Sequence, residues 1–469
     1  MRDLKRVWAS FRRAPIGSFD GRTYCRYNHI LTVVAAGFGF RPVAEQDPKD
    51  DPCANPGGAA DMRRWRFHWA WVVLGVCFLD LFVNYSARLG YGVVLPEMIR
   101  HLGFSRTEGG SIYNAYLFTY IAVTPLTGFL TDRIGARRVI TTCALLLGLG
   151  LVAMGRVESL SGACVAYAAV GLGATGMWTP VITVVQRWFA PRRRGLALGI
   201  LSTGYGLGFA TMGVAFPWIV QHYSWRHSWT FLGAAALVMV LGNGLFLRSS
   251  PEAAGRRPWG ERDVPREGPE PAVPGVRPGQ LSVLRSSTFW LIGASYFAIS
   301  YSLYGITTFM VDYAEHQLGF PLDKASLLAT IHGSCQVLGV LTVLPLSDVL
   351  GRRRTILLSN TVIAVALAGI LLSGASWFVL SLFVGLLAVF YGVTFPIYGA
   401  CAGDYFPKEV MGTVIGAWTP FYGLGAMVVH WVAGSLRDAT GRYDIAFVLN
   451  IVMAVVGILL MFLVKRDRE

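Results

Sequence analysis

A carboxylate and a guanidinium share one long apolar stretch of this sequence. They are Asp80 and Arg88, and Asn84 lies midway between them. On a helix, eight residues separate the two charges by about 12 Å along the axis and turn them roughly 80° apart. They therefore share a polar side without meeting as an ion pair. Arginine stays charged and offers a planar fork that fits a carboxylate. Asp80 is the group that could take up and release a proton, and ionisable residues this deep in an apolar segment are functional candidates by default. Further on, His332 and Gln336 stand one helical turn apart and His430 lies in a later apolar run. A lone histidine on a helix is more often a satisfied packing residue. Tyr296, Tyr301, Tyr304, Tyr391 and Tyr398 have apolar bodies with a hydroxyl tip, which suits a pocket wall and suits helix packing equally well. No metal-ligand cluster, phosphate-cradling loop or nucleophile motif accompanies them. The expectation is a protein that is neither an enzyme nor an ATP-driven pump, with no cofactor and no metal.

The elements that must position these residues follow from composition. The chain has 469 residues, 54% hydrophobic and only 14% charged, against about 25% charged in soluble domains. Many apolar runs exceed the ~20 residues needed to cross a bilayer. The net charge of +14 falls in short loops between those runs, so it reads as membrane topology, not as a nucleic-acid surface. Cys77, Cys143, Cys164 and Cys335 lie within apolar runs and form no disulfide framework. Twelve spans are expected at about 67–98, 107–131, 138–157, 160–189, 196–221, 227–248, 287–313, 324–348, 355–373, 376–403, 410–435 and 444–464. Residues 1–61 read as an N-terminal extension, disordered or upstream of a natural start at Met62. Residues 62–248 read as a first six-helix bundle and 287–469 as a second. The intervening 249–286, rich in Pro, Arg and Glu, reads as a cytoplasmic linker without a core.

Arg133, Arg137, Arg138, the run Arg192 to Arg194, Arg352 to Arg354, and Lys465, Arg466 and Arg468 all fall on one side of that topology. The positive-inside rule places that side, and both termini, in the cytoplasm of a multi-pass protein of the cell membrane. An internal repeat organises the rest. Leu102-Gly103-Phe104 recurs 216 residues later as Leu318-Gly319-Phe320, and Asp132 and Gly135 recur at the same offset as Asp348 and Gly351. Gly195, Gly199, Gly206 and Gly208 recur 217 residues later as Gly412, Gly416, Gly423 and Gly425. Duplicated six-span units imply two helical bundles with a substrate path between them.

The segment from Gly128 to Val139 is a short basic hinge between two spans, with Asp132 and Arg133 leaving one, Gly135 turning the chain, and Arg137 and Arg138 opening the next. It resembles the loop between the second and third spans of the major facilitator superfamily, where Gly, Asp, a basic residue, Gly and two basic residues recur in that order. The second copy keeps Asp348, Gly351 and Arg352 but has Leu344 in place of the first Gly. The resemblance implies an all-α polytopic membrane protein with twelve transmembrane helices in two parallel-related six-helix bundles. It also implies that Asp132 helps hold the inner side closed. Trp188-Phe189 followed by Arg192-Arg193-Arg194-Gly195 looks like monocarboxylate-transporter-like members, as does the stretch from Trp69 ending in Pro96-Glu97-Met98. The basic residue of those carriers' eighth span is absent here. The arginine in the first span is similar instead to the organic-anion-to-cation symporters of the superfamily.

These readings point to a secondary transporter of a small organic anion, a carboxylate being favoured, with proton coupling as an added expectation. Efflux of amphipathic compounds and a transporter-like solute sensor without net flux are the alternatives. Expected substrate-binding residues are Arg88, Asn84, Tyr301, Tyr304, His332, Gln336, Tyr391 and Tyr398, and expected proton-coupling residues are Asp80 and His332. The expected gate comprises Gly128, Asp132, Arg133, Gly135, Arg137 and Arg138 with Asp348, Gly351 and Arg352. The expected partners are a small-molecule substrate and the lipid bilayer, with the chain functional as a monomer.

Overall fold

The computed structural model describes residues 68–260, 280–406 and 411–464. The N-terminal extension and the side chain of Asp132 lie outside the described residues. Twelve long helical segments run through the described part. They are α1 Trp69–Leu102, α2 Arg106–Ile134, α3 Ala136–Met154, α4 Leu160–Trp188, α5 Pro191–His222, α6 Trp225–Phe246, α7 Ser287–Asp312, α8 Leu322–Leu350, α9 Arg352–Leu372, α10 Trp377–Tyr405, α11 Met411–Thr440 and α12 Asp444–Leu463. A 3-10 turn at Thr175–Met177 interrupts α4, and a π turn at Tyr313–Gln317 extends α7. Ten of the segments are long and apolar enough to cross a membrane on that basis alone. The other two, α2 and α11, are more polar and pack against each other, so the bilayer is not their only solvent.

Local chemistry sets the boundaries. Ser105 opens α2 with a reciprocal capping box: its hydroxyl accepts from Glu108 N at 3.1 Å, and Glu108 accepts from Ser105 N at 2.8 Å. Gly135 ends α2 at φ 89°, and Gly351 ends α8 at φ 87°. That backbone region disfavours any residue with a Cβ, which explains why both copies of the hinge place glycine there.

The packing repeats as the sequence does. In the first half α1 packs on α5 and α6, α4 on α2 and α3, and α3 on α6. In the second half α7 packs on α11 and α12, α10 on α8 and α9, and α9 on α12. The halves meet through α5 with α8, α2 with α11, and α1 with α7. Glycines permit the close approach. A Cβ at Gly206 would lie 2.7 Å from Val337, and one at Gly423 would lie 2.0 Å from Ile121, so the repeat-related contact occurs on both sides.

The segment expected to be an unstructured linker starts in ordered form. Trp259 N donates to Trp188 O at 2.8 Å, and Ala190 N donates to Trp259 O at 3.0 Å. The Trp259 ring packs edge-on to Trp71 and Phe189 and carries the Arg193 guanidinium 5.4 Å from its centroid. One aromatic residue in a Pro- and Arg-rich stretch is enough to seat residues 251–260 on the α4–α5 turn.

The two halves are sealed together at the end of the bundle away from Gly135 and Gly351. Asp438 of α11 accepts from Arg106 N (2.9 Å), Thr107 N (2.8 Å) and Thr107 Oγ1 (2.6 Å), capping the start of α2. Asp312 of α7, fully buried, accepts from Arg106 (3.2 Å) and Tyr443 (2.6 Å), with His316 Nδ1 at 3.0 Å. Helix-capping contacts of this kind contribute about 1 kcal/mol. Asp438→Ala should therefore shift the balance about fivefold toward opening at this end. Faster thiol labelling of a cysteine placed at Gly110, normalised to a denatured control, would register the shift, and an unchanged rate would contradict it.

Candidate functional site

Between the halves lies a cavity of about 750 Å³ that runs from mid-depth toward the hinge end. Its inner pole is formed by Tyr85, Arg88 and Tyr304, and its hinge-side mouth by Leu196, Gly199, Leu344 and Pro345. Arg88 is the one charged residue on the wall among the described residues.

Its surroundings are aromatic. Arg88 is 8% exposed and donates from Nη2 to the Tyr304 hydroxyl at 2.8 Å. Its Cζ lies 5.0 Å from the Tyr120 ring centroid, 5.7 Å from Tyr85 and 5.8 Å from Tyr116. Such rings stabilise a cation through their negative faces, but they do not neutralise it. Arg88 Nε and the Tyr116 hydroxyl are both buried without a hydrogen-bond partner. A desolvated guanidinium with donor capacity to spare and no carboxylate on its wall is a ready-made seat for an anion.

Arg88 and Tyr304 are 216 residues apart. Equivalent positions of a repeat can touch only near the axis that relates the halves, so this contact marks that axis. The wall as a whole repeats. Trp178 and Phe395, 217 residues apart, meet edge-on at 5.6 Å. Thr203 pairs in the same sense with Thr419, and Tyr205 with Tyr422. The charge of Arg88 against the neutral Tyr304 breaks the symmetry.

Of the residues expected to bind substrate, Arg88, Tyr304 and Tyr391 stand on the wall. Asn84 is buried off the wall, its Oδ1 without a partner. His332 and Gln336 are bonded to each other at 3.1 Å, and His332 packs behind Tyr391 with ring centroids 5.0 Å apart. Tyr301 is buried off the wall. Tyr398 shares a hydrogen bond with Ser295 at 2.7 Å and accepts one from Asn360 at 3.2 Å, which gives it a packing role within the second half. Asp80 is also off the wall, buried, and accepts from Asn243 of α6 at 2.9 Å. His430 bridges Thr308 (2.9 Å) and Asn114 (2.8 Å), tying α11 to α7 and α2.

Sequence reasoning missed Tyr85, Tyr120, Trp178, Tyr205, Phe395 and Tyr422. The repeat offset was the signal that pairs four of them.

At the hinge, Gly128 is half-buried and Arg133 and Arg138 are exposed. Arg137 N donates to Ser249 Oγ at 3.1 Å, and its guanidinium donates to Gly244 O. Arg352 donates to Asp348 and Ser347 within the second copy.

The model of the Major Facilitator Superfamily matches residues 77–325 and 292–469. The chain is 26% identical over 407 residues to the protein described as the probable sulfoacetate transporter SauU of Cupriavidus necator, covering 83% of this chain and 92% of that one. It is 22% identical over 385 residues to the hexuronate transporter of Bacillus subtilis, covering 79% and 89%. Among solved structures it resembles a bacterial homologue of the human lysosomal transporter Spinster in an inward-facing, unoccupied conformation. The TM-score there is 0.68 at 15% identity, over 85% of this chain and 97% of that one. Twelve helices packed as a repeated six, a cavity on the axis between the halves, and a family match across nearly all of the described residues lead to one conclusion: this chain is a transporter of the major facilitator superfamily, not an enzyme.

Proposed function

We propose that this protein carries a small organic anion across the cell membrane by alternating access, with Arg88 holding the anionic head. The observation that carries this reading is the buried guanidinium of Arg88, which faces the cavity with an unpartnered Nε and no carboxylate beside it. The sulfoacetate and hexuronate named for two relatives are both organic anions, which supports the class without naming this chain's own substrate.

In this reading both termini and the basic hinges face the cytoplasm. The conformation described is then open inward and sealed outward through Arg106, Asp312 and Asp438. The bundles at 62–248 and 287–469 rock about the axis marked by Arg88 and Tyr304. The hinge residues Gly128, Asp132, Arg133, Gly135, Arg137 and Arg138, with Asp348, Gly351 and Arg352, form the inner gate, and a monomer suffices. Proton coupling falls to Asp80, which is buried with Oδ2 unpartnered and one hydrogen bond from Asn243. His332, whose Nε2 is likewise unpartnered, is the second candidate.

Counterflow in proteoliposomes tests the reading. Vesicles preloaded with an unlabelled organic acid should accumulate the labelled acid transiently, whereas a solute sensor gives no accumulation. Asp80→Asn should keep counterflow, which needs no net proton movement, while uptake driven by an inward proton gradient falls about tenfold or more. Gradient-driven uptake at the wild-type rate would remove Asp80 from the coupling.

A further inference from the structure

Resting on the anion reading of the same cavity, we propose a narrower substrate class: an acid with one negative charge and a flat or compact apolar body, poor in hydroxyl groups. The cavity supplies one cation at one pole and nothing to pair a second anionic group, because no Lys, His or further Arg stands on the wall among the described residues. A second charge would have to leave water for an aromatic surface, which is costly without a partner.

Beyond Arg88 the wall forms two aromatic faces. Tyr85, Trp178 and Tyr205 belong to the first half; Tyr391, Phe395 and Tyr422 belong to the second. Within the first, the Tyr85 ring lies 5.5 Å from Tyr205 and 6.2 Å from Trp178. Within the second, Phe395 lies 6.1 Å from Tyr422. Faces of this kind attract a ring or an aliphatic body by dispersion and by the release of water.

The wall is also short of free hydrogen-bonding groups. Thr203 Oγ1 donates to Ile200 O at 2.7 Å, Thr419 Oγ1 to Ile415 O at 3.0 Å, and Tyr205 to Gly392 O at 2.8 Å. No Asn, Gln, Asp or Glu faces the cavity among the described residues. A polyhydroxylated acid would therefore lose water from hydroxyls that the wall cannot replace, and unmade buried hydrogen bonds discriminate strongly.

The test uses the purified full chain and matched probes, with binding measured by equilibrium dialysis. Cyclohexanecarboxylate and quinate share a ring and one carboxylate, but quinate carries ring hydroxyls. Benzoate and phthalate differ by a second carboxylate, and benzamide is the neutral counterpart of benzoate. The expected result is that cyclohexanecarboxylate and benzoate bind about tenfold or more tighter than quinate, phthalate and benzamide. This ranking needs only the wild-type protein, so it does not depend on how a variant folds. Preference for quinate or phthalate, lost in Arg88→Gln, would overturn this proposal and leave the anion reading standing. Benzamide binding as well as benzoate would overturn both, and binding of none of the five overturns the apolar-acid class.

Discussion

Arg88→Gln is expected to weaken binding of an organic acid by about 10- to 150-fold, the equivalent of the 1.5–3 kcal/mol carried by a hydrogen bond to a charged group. Arg88→Lys should recover little of that loss, because an ammonium keeps the charge but cannot form two parallel hydrogen bonds to one carboxylate. The substitution also leaves the Tyr304 hydroxyl without the donor it has at 2.8 Å. Binding must be normalised to folded protein, since a guanidinium enclosed by Tyr85, Tyr116 and Tyr120 also fills space in the bundle. Wild-type affinity in Arg88→Gln would end the assignment of Arg88 as the anion seat. Equal loss for neutral and anionic ligands would mark Arg88 as a packing residue.

The second large effect is expected at the hinge-side mouth. At the sealed end there is no room for a side chain where the halves touch. A Cβ at Gly213 would lie 2.3 Å from Thr330 Oγ1, and one at Gly110 would lie 2.7 Å from His430 O. At the hinge end the repeat-related Gly199 and Gly416 meet nothing within 4 Å. Small residues facing open space are what a rocking carrier needs where its halves must meet in the opposite state. Gly199→Phe should therefore be compatible with the conformation seen here and obstruct the other one. Counterflow should fall about tenfold or more, since a steric block of even 1.4 kcal/mol is a factor of ten in the state balance. Binding from the hinge side should persist if measured away from the ring itself. Wild-type counterflow in Gly199→Phe would mean that the mouth closes by other contacts.

The fold was legible because its landmarks are local and polar against an apolar background. Arg137, Gly135 and Gly351 mark turns that a run of Leu, Val and Ala cannot make, and the offset between Gly135 and Gly351 exposes the duplication. Arg88 was legible for the same reason, as a charge where charges are costly. The aromatic wall was harder to read. Tyr85 and Tyr120 sit at helical spacings that serve packing and pocket alike, and only the tertiary arrangement puts them around Arg88. Tyr398 carries the same residue type and ends up bonded to Ser295 and Asn360 inside the second half. Applying the repeat offset to aromatic residues would have paired Trp178 with Phe395 and Tyr205 with Tyr422. The ordered start of the linker was hidden because Trp259 is one apolar residue among charged and proline neighbours, and its partners Trp71 and Phe189 are distant in sequence.

A structure of the chain with a bound organic acid tests the central claim most directly. Electron cryomicroscopy in the presence of saturating benzoate should show the carboxylate within hydrogen-bonding distance of the Arg88 guanidinium, taking up Nε and competing with Tyr304. The ring should lie between the faces bearing Trp178 and Phe395. A ligand seated elsewhere, with the 2.8 Å contact between Arg88 and Tyr304 intact and Nε still unpartnered, would contradict the account.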